Sequence, residues 1–299
     1  MLWRTSRYEY IKALLYVIAG ITTHLVTFAT IGVLAACASI EGLTARATQQ
    51  ATAQQMQEEI ISTPPFHLSS WSRITARGDA ITIYIEGDGD AWISRRQPAT
   101  NPTPRTAVAL SLAAEDLSAN VAYLGRPCQF AAALEDAACA PDPGVRYWTS
   151  ARFSPEVIEA MSNAITHLAR KAHAKHIHLV GYSGGGAVAV LVAALRNDVV
   201  SVRTVAGLID VGTQVALLRI SPLWESSDPA DYSYRLRHMP QIHFVGQDDK
   251  VVPPRVAAAY LEKSEHSRCV NVEIILEQDH HKGWAKKWTT LLGMQPRCL

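Results

Sequence analysis

Between Ala80 and Leu292 the chain alternates short apolar runs with helix-forming stretches, and this alternation limits the fold more than any other feature of the sequence. The runs "AITIYIEGDG", "NVAYLG", "HIHLVGYS", "VRTVAGLI", "QIHFVG" and "VNVEIILE" are apolar nearly throughout. They therefore read as strands buried on both faces rather than half-exposed strands of alternating polarity. Between them lie the helical stretches "TAVALSLAAEDL", "SPEVIEAMSNAITHLARKA", "GGGAVAVLVAALR", "PPRVAAAYLEKS" and "GWAKKWTTLL". The second opens with a Ser cap, a Pro at the first helical position and a Glu behind it, a strong helix start. Parallel strands need such crossovers, so the expected class is α/β: a mainly parallel sheet flanked by helices on both faces. Residues 210 to 237 break the rhythm and read as an insertion over one end of the sheet.

The N-terminus reads differently. Arg4, Arg7 and Lys12 precede a stretch, 13 to 36, that contains no Asp, Glu, Lys or Arg and ends in "LAAC". A basic start, an apolar run and small residues before a cut site describe an export signal. "LAAC" resembles a bacterial lipobox, which implies lipidation of Cys37, and Ala38 behind it implies the outer membrane. The apolar stretch is also long enough to serve as an uncleaved anchor. Residues 1 to 37 are thus a signal peptide or membrane anchor, with the body facing the periplasm. Residues 38 to 65, rich in Ala, Thr and Gln and closed by "STPPF", read as a tether. The domain is expected over 66 to 299. Of five cysteines, Cys37 goes to lipid. The other four pair over the shortest loops as Cys128 with Cys139 and Cys269 with Cys298, in an oxidising compartment.

One loop carries chemistry. Gly181-Tyr182-Ser183-Gly184-Gly185 fits G-x-S-x-G between an expected strand and an expected helix, the setting of a nucleophile elbow. Small residues on either side let the turn tighten, which lifts the Ser183 hydroxyl clear and aims the Gly184 N–H at a bound carbonyl oxygen. A serine alone is a poor nucleophile and needs a base held by an acid. "FVGQDDKVVPP" offers Asp248 and Asp249 after one later strand, and "EIILEQDHHKGW" offers His280 and His281 after the last. Asp210, after an earlier strand, is a third acid. "AHAKHIH" has the look of a metal cluster, but its histidines alternate along a strand, and no metal or organic cofactor is expected. Trp92, Trp148 and Trp224 read as packing residues.

The stretches "YIEGDG", "GYSGGGA", "FVGQDDKVVPP" and "DHHKGW" resemble the α/β-hydrolase superfamily over about residues 66 to 292. "GRPCQ" and "WTSARFSPEVI" narrow the resemblance to an exported bacterial lipoprotein branch of it. That resemblance places the insertion at 210–237 after the sixth strand as a small cap. "G-x-x-D-x-x-V-P" puts the acid at Asp249, with Asp248 and Asp210 behind it. "DHxxxW" puts the base at His280 ahead of His281. The second oxyanion donor would be the Asp88 amide, with Gly87 allowing the backbone to come close, although Glu86 stands where the superfamily more often has histidine.

These residues imply a serine hydrolase that cleaves an ester or related acyl bond of a small-molecule or lipid-like substrate through an acyl-enzyme. A peptidase or acyltransferase would use the same groups. The alternative of another class is a non-catalytic binding or assembly protein of the envelope. A formal net charge of +1 with scattered basic residues excludes a nucleic-acid surface.

Overall fold

The computed structural model describes residues 39–299 apart from Asp79 and Arg95, and the side chains of Pro141 and Pro143 are also left aside. The lipidation expected at Cys37 lies outside the described residues. No helix among the described residues is long and apolar enough to cross a membrane.

Eight strands form one sheet, in the order β1-β2-β6-β3-β7-β8-β9-β10. They are β1 (Gln57–Thr63), β2 (Phe66–Ile74), β3 (Ala80–Ile85), β6 (Asn120–Leu124), β7 (His176–Tyr182), β8 (Val199–Val205), β9 (Gln241–Gly246) and β10 (Val270–Ile275). A two-stranded ribbon, β4 (Trp92–Ser94) and β5 (Gln97–Pro98), stands apart. From β6 to β10 every pairing is parallel. β1 and β2 form an antiparallel hairpin, and β2 lies antiparallel to β6. This is the mainly parallel sheet that the alternation implied, in the arrangement expected from the α/β-hydrolase resemblance.

Among the described residues, seven helices of eight or more residues flank the sheet: α1 (Ile40–Thr52), α2 (Val108–Glu115), α3 (Pro155–Lys171), α4 (Gly184–Leu195), α5 (Val211–Leu218), α6 (Pro254–Lys263) and α7 (Trp284–Leu292). One apolar core gathers Val157, Met161 and Leu168 of α3, the buried face of α4 and Tyr260 of α6 against Ile83, Leu179 and Val202 of the strands. The other gathers Ala47 and Ala51 of α1, Leu110 and Leu112 of α2, and Trp284 and Trp288 of α7 against Tyr84, Tyr123 and Phe244. Ser154 caps α3 by accepting a hydrogen bond from the Val157 amide, ahead of Pro155.

The expected tether is instead part of the folded domain. Residues 40–63 form α1 and β1, and the domain begins at the start of α1 rather than at Phe66. Ala47, Ala51, Met56 and Ile61 are buried, and β1 pairs with β2 along its length. "STPPF" is the turn between those two strands. In the insertion, α5 is followed by a loop whose Glu225 accepts from Ser150 and pairs with Arg146. Two disulfides join Cys128 to Cys139 and Cys269 to Cys298. Trp148 is buried as expected, but Trp92 and Trp224 are 45% and 82% exposed.

Candidate active site

The parallel strands end together, and the loops at their carboxyl ends meet around Ser183. This serine follows β7 and opens α4 with φ of 51° and ψ of −121°, outside the regions an L-residue ordinarily occupies. Its neighbours allow the turn: a Cβ on Gly181 would overlap the Gly185 carbonyl, and one on Gly185 would overlap the Ile85 carbonyl. The strained backbone is held by three hydrogen bonds. Ser183 N–H donates to Val205, and the amides of Gly186 and Leu208 donate to the Ser183 carbonyl.

The hydroxyl meets a histidine. Ser183 Oγ lies 2.9 Å from His280 Nε2, and His280 Nδ1 lies 2.7 Å from Asp249 Oδ2. Both partners are buried. Asp249 is fixed on its other oxygen, where Oδ1 accepts from the amides of Val251 at 2.8 Å and Val252 at 2.7 Å. A carboxylate held by two amides presents its second oxygen in one direction only, and that direction is the imidazole. The arrangement can take a proton from Ser183 at Nε2 while Asp249 keeps the Nδ1–H tautomer.

The other candidates go elsewhere. His281 is exposed, with Nδ1 3.3 Å from the Tyr182 hydroxyl, and partial burial followed by the neighbouring His280 lowers its pKa. Asp210 caps α5 through the Thr213 amide and pairs with Lys263 at 2.8 Å. Asp248 is exposed. Among the described residues no group of three His, Cys, Asp or Glu could hold a metal ion. His178 instead lies 2.7 Å from Ser201 Oγ.

Across from the serine stands the loop after β3. A Cβ on Gly87 would come within 3.2 Å of Ser183 Cβ, so this loop passes close to the nucleophile. Among the described residues neither the Gly184 nor the Asp88 amide is used as a donor, whereas Gly87 N–H donates to Glu86 Oε1. Glu86 points away from the serine. Its oxygens accept from the Gly87 amide at 2.8 Å, from the Ala109 amide at 3.5 Å and from the Tyr123 hydroxyl at 3.2 Å. It thus closes the first turn of α2, whose own cap position, Ala107, has no side-chain oxygen.

Burial raises the Glu86 pKa to about 7 against the opposing pull of those amides. Below pH 4.5 the group is protonated in both folded and unfolded chains. Between 4.5 and about 7 only the folded protein keeps the proton, so stability falls as pH rises through this interval, by about 3 kcal/mol. Glu86→Gln should flatten that slope relative to wild type, as read by urea unfolding on either side of the interval.

The Asp88 carboxylate lies against the α-carbon of Gly184, where a Cβ would overlap it. Two buried arginines hold it, Arg126 Nη1 and Arg152 Nε, each at 3.4 Å. Arg126 also donates to the Arg152 carbonyl. Burial lowers the Arg126 pKa to about 10, with Asp88 acting in the opposite direction, so the guanidinium stays charged at neutral pH. Two cations thus flank one carboxylate beside the free amides, which offsets the negative charge that "EGDG" places there. Sequence reasoning missed these arginines as parts of the site. Their only signal was their place in "GRPCQ" and "WTSARF".

Solved structures share this architecture at low sequence identity. An esterase of Pyrococcus furiosus, Pf2001, superposes with a TM-score of 0.55 at 14% identity, covering 81% of this chain and 92% of its own. The α/β hydrolase GrgF from Penicillium sp. sh18 gives 0.57 at 13%, covering 80% and 95%. An acylaminoacyl peptidase of Pyrococcus horikoshii gives 0.57 at 11%, covering 80% of this chain and 40% of its own. These likenesses define an α/β-hydrolase fold. Among curated proteins none matches the chain in sequence. The family model for the serine hydrolase FSH1 matches residues 107–282, more than half of the chain, and the chain belongs to that family. The matched segment contains Ser183, Asp249 and His280.

Proposed function

We propose that this serine hydrolase cleaves a carboxylic ester or related acyl bond, with Ser183 as nucleophile, His280 as general base and Asp249 as its orienting acid. One observation carries the reading: an unbroken line from Ser183 Oγ to His280 Nε2, and from Nδ1 to a carboxylate fixed by two amides. Ser183 Oγ attacks the substrate carbonyl as its proton passes to His280 Nε2. The oxygen that gains charge sits at the amides of Gly184 and Asp88, the donors left free beside it. His280 then gives the proton to the leaving alcohol. Water, deprotonated by the same nitrogen, attacks the acyl-enzyme and restores Ser183. No metal or organic cofactor enters these steps. A scaffold that had abandoned catalysis would have no cause to keep all three groups in register.

We also read the protein as lipid-anchored at Cys37 in the bacterial outer membrane, facing the periplasm. The apolar segment ending in "LAAC" supports this, as do two disulfides suited to an oxidising compartment.

The test is hydrolysis of p-nitrophenyl esters from acetate to palmitate by the full chain in detergent, beside labelling with a fluorophosphonate. Turnover with the label on Ser183 is expected. A folded protein that neither turns over any ester nor takes the label overturns the reading, and label without turnover points to an amide substrate. Asp249→Asn supplies a further check. The amides of Val251 and Val252 would hold the Asn oxygen, so its NH2 would face His280 Nδ1 and impose the tautomer that cannot accept the serine proton. We expect kcat to fall about 10^4-fold with little change in melting temperature.

A further inference from the structure

With residues 40–63 folded into the domain, little chain is left between the apolar segment and the globular body. Only Cys37 and Ala38 separate Ala36 from Ser39, which caps α1. Two or three extended residues reach about 10 Å. Any anchor within residues 13 to 37, an acyl chain on Cys37 or the segment itself, therefore holds Ser39 close to the bilayer.

The direction of α1 shows which end of the molecule that is. Thr44 accepts from the Ala131 amide, beyond the carboxyl end of β6. Thr48 accepts from the Trp71 indole, and Trp71 pairs with Tyr123 within β6. The Gln54 carbonyl accepts from Arg73, whose strand partner is Val121 near the start of β6. The helix thus descends from the carboxyl end of the sheet, and Ser39 emerges at the end that carries Ser183.

That end also carries an unusual surface. Trp92 and Ile93, 65% exposed, head the ribbon that follows β3. Leu217, Ile220 and Trp224 stand on α5 and the loop after it, and Val251, in the loop after β9, is tied to α5 by the Gln214 side chain. Trp92 and Trp224 are the only exposed tryptophans among the described residues. Single exposed apolar side chains are ordinary, but tryptophans gathered at the end nearest an anchor suit the boundary between water and acyl chains.

We propose that this protein lies with the Ser183 end of its sheet against a lipid bilayer, with Trp92, Ile93, Ile220 and Trp224 seated at the headgroup level around the entrance to the site. This rests on the membrane-anchored reading above. The substrate class follows: an acyl ester that resides in the bilayer and enters the site without crossing bulk water.

The experiment uses the full chain in phosphatidylethanolamine–phosphatidylglycerol vesicles with brominated acyl chains, comparing wild type with the Trp92→Phe/Trp224→Phe variant. Trp3 and the four buried tryptophans are common to both, so the difference in quenching reports the rim alone. We expect bromolipid to quench wild type and the variant to lose that quenching. Trp92→Ser/Trp224→Ser should lower turnover of an ester dissolved in the vesicle about tenfold while hydrolysis of soluble p-nitrophenyl acetate is unchanged. Equal quenching in both proteins would overturn the proposal, whether the rim faces water, a second copy of the chain or the segment 13 to 36. If wild type neither hydrolyses an ester nor takes the fluorophosphonate label, the proposed acyl-bond chemistry fails, and the quenching difference still decides the orientation.

Discussion

Ser183→Ala is expected to remove ester hydrolysis almost entirely, by about 10^5-fold in kcat/KM, with the fold intact. The substitution deletes one atom at a half-buried position, and the hydrogen bonds that hold the turn run through the backbone of residue 183 and survive. His280 and Asp249 keep their 2.7 Å contact. What disappears is the oxygen that forms the acyl-enzyme, so water would have to attack without covalent help. The free amides of Gly184 and Asp88 should leave a residue of activity above the uncatalysed rate. Measuring kcat/KM and fluorophosphonate labelling on the same preparation separates the causes. Lost turnover together with lost label assigns the nucleophile, and retained label would place it at another serine.

His280→Ala should cost nearly as much, about 10^5-fold, because the nucleophile and its base act as a unit. It should also destabilise the protein. Asp249 would be left as a buried carboxylate without its imidazole, and two amides alone would carry its charge. His281→Ala is the control. That side chain is exposed and meets the Tyr182 hydroxyl and the edge of His280, so a change of about twofold is expected. The reverse ranking of the two variants would transfer the base to His281 and require the loop after β10 to turn over on binding substrate. Circular dichroism on each variant keeps loss of fold apart from loss of chemistry.

The groups around Ser183 were legible in the sequence because each follows a mainly apolar strand, even β10, whose Asn271 and Glu273 leave it partly exposed. Strand, glycine and polar residue form a local pattern that tertiary contacts need not complete. The choice between Asp248 and Asp249, or between His280 and His281, depends on one residue of register, and only family resemblance addressed it. The β1–β2 hairpin was not legible. Its buried positions include Ser69, Ser70 and Ser72, and α1 buries alanines rather than large side chains, so neither shows the apolar periodicity that marks an element. Arg126 and Arg152 were hidden for another reason. A charged residue reads as surface until its partner is known, and their partner Asp88 lies far back in the chain.

The Cys269–Cys298 bond ties the C-terminal tail to the residue just before β10, an edge strand whose only neighbour among the described residues is β9. Leu299 N–H donates to the Arg268 carbonyl and the Asn271 side chain donates to the Arg297 carbonyl, so the tail lies along the start of this strand. The loop that follows β10 carries His280. Closing a loop of 29 residues stabilises a fold by about 3.6 kcal/mol through the unfolded chain. His280 is therefore delivered from an edge strand, and a covalent clasp fastens the start of that strand. A chain with these two thiols reduced would fray at this edge, and His280 would be misplaced while the serine turn, on a central strand, was still intact. Closing this disulfide would then secure His280 separately from the serine turn, which the backbone bonds of residue 183 hold by themselves.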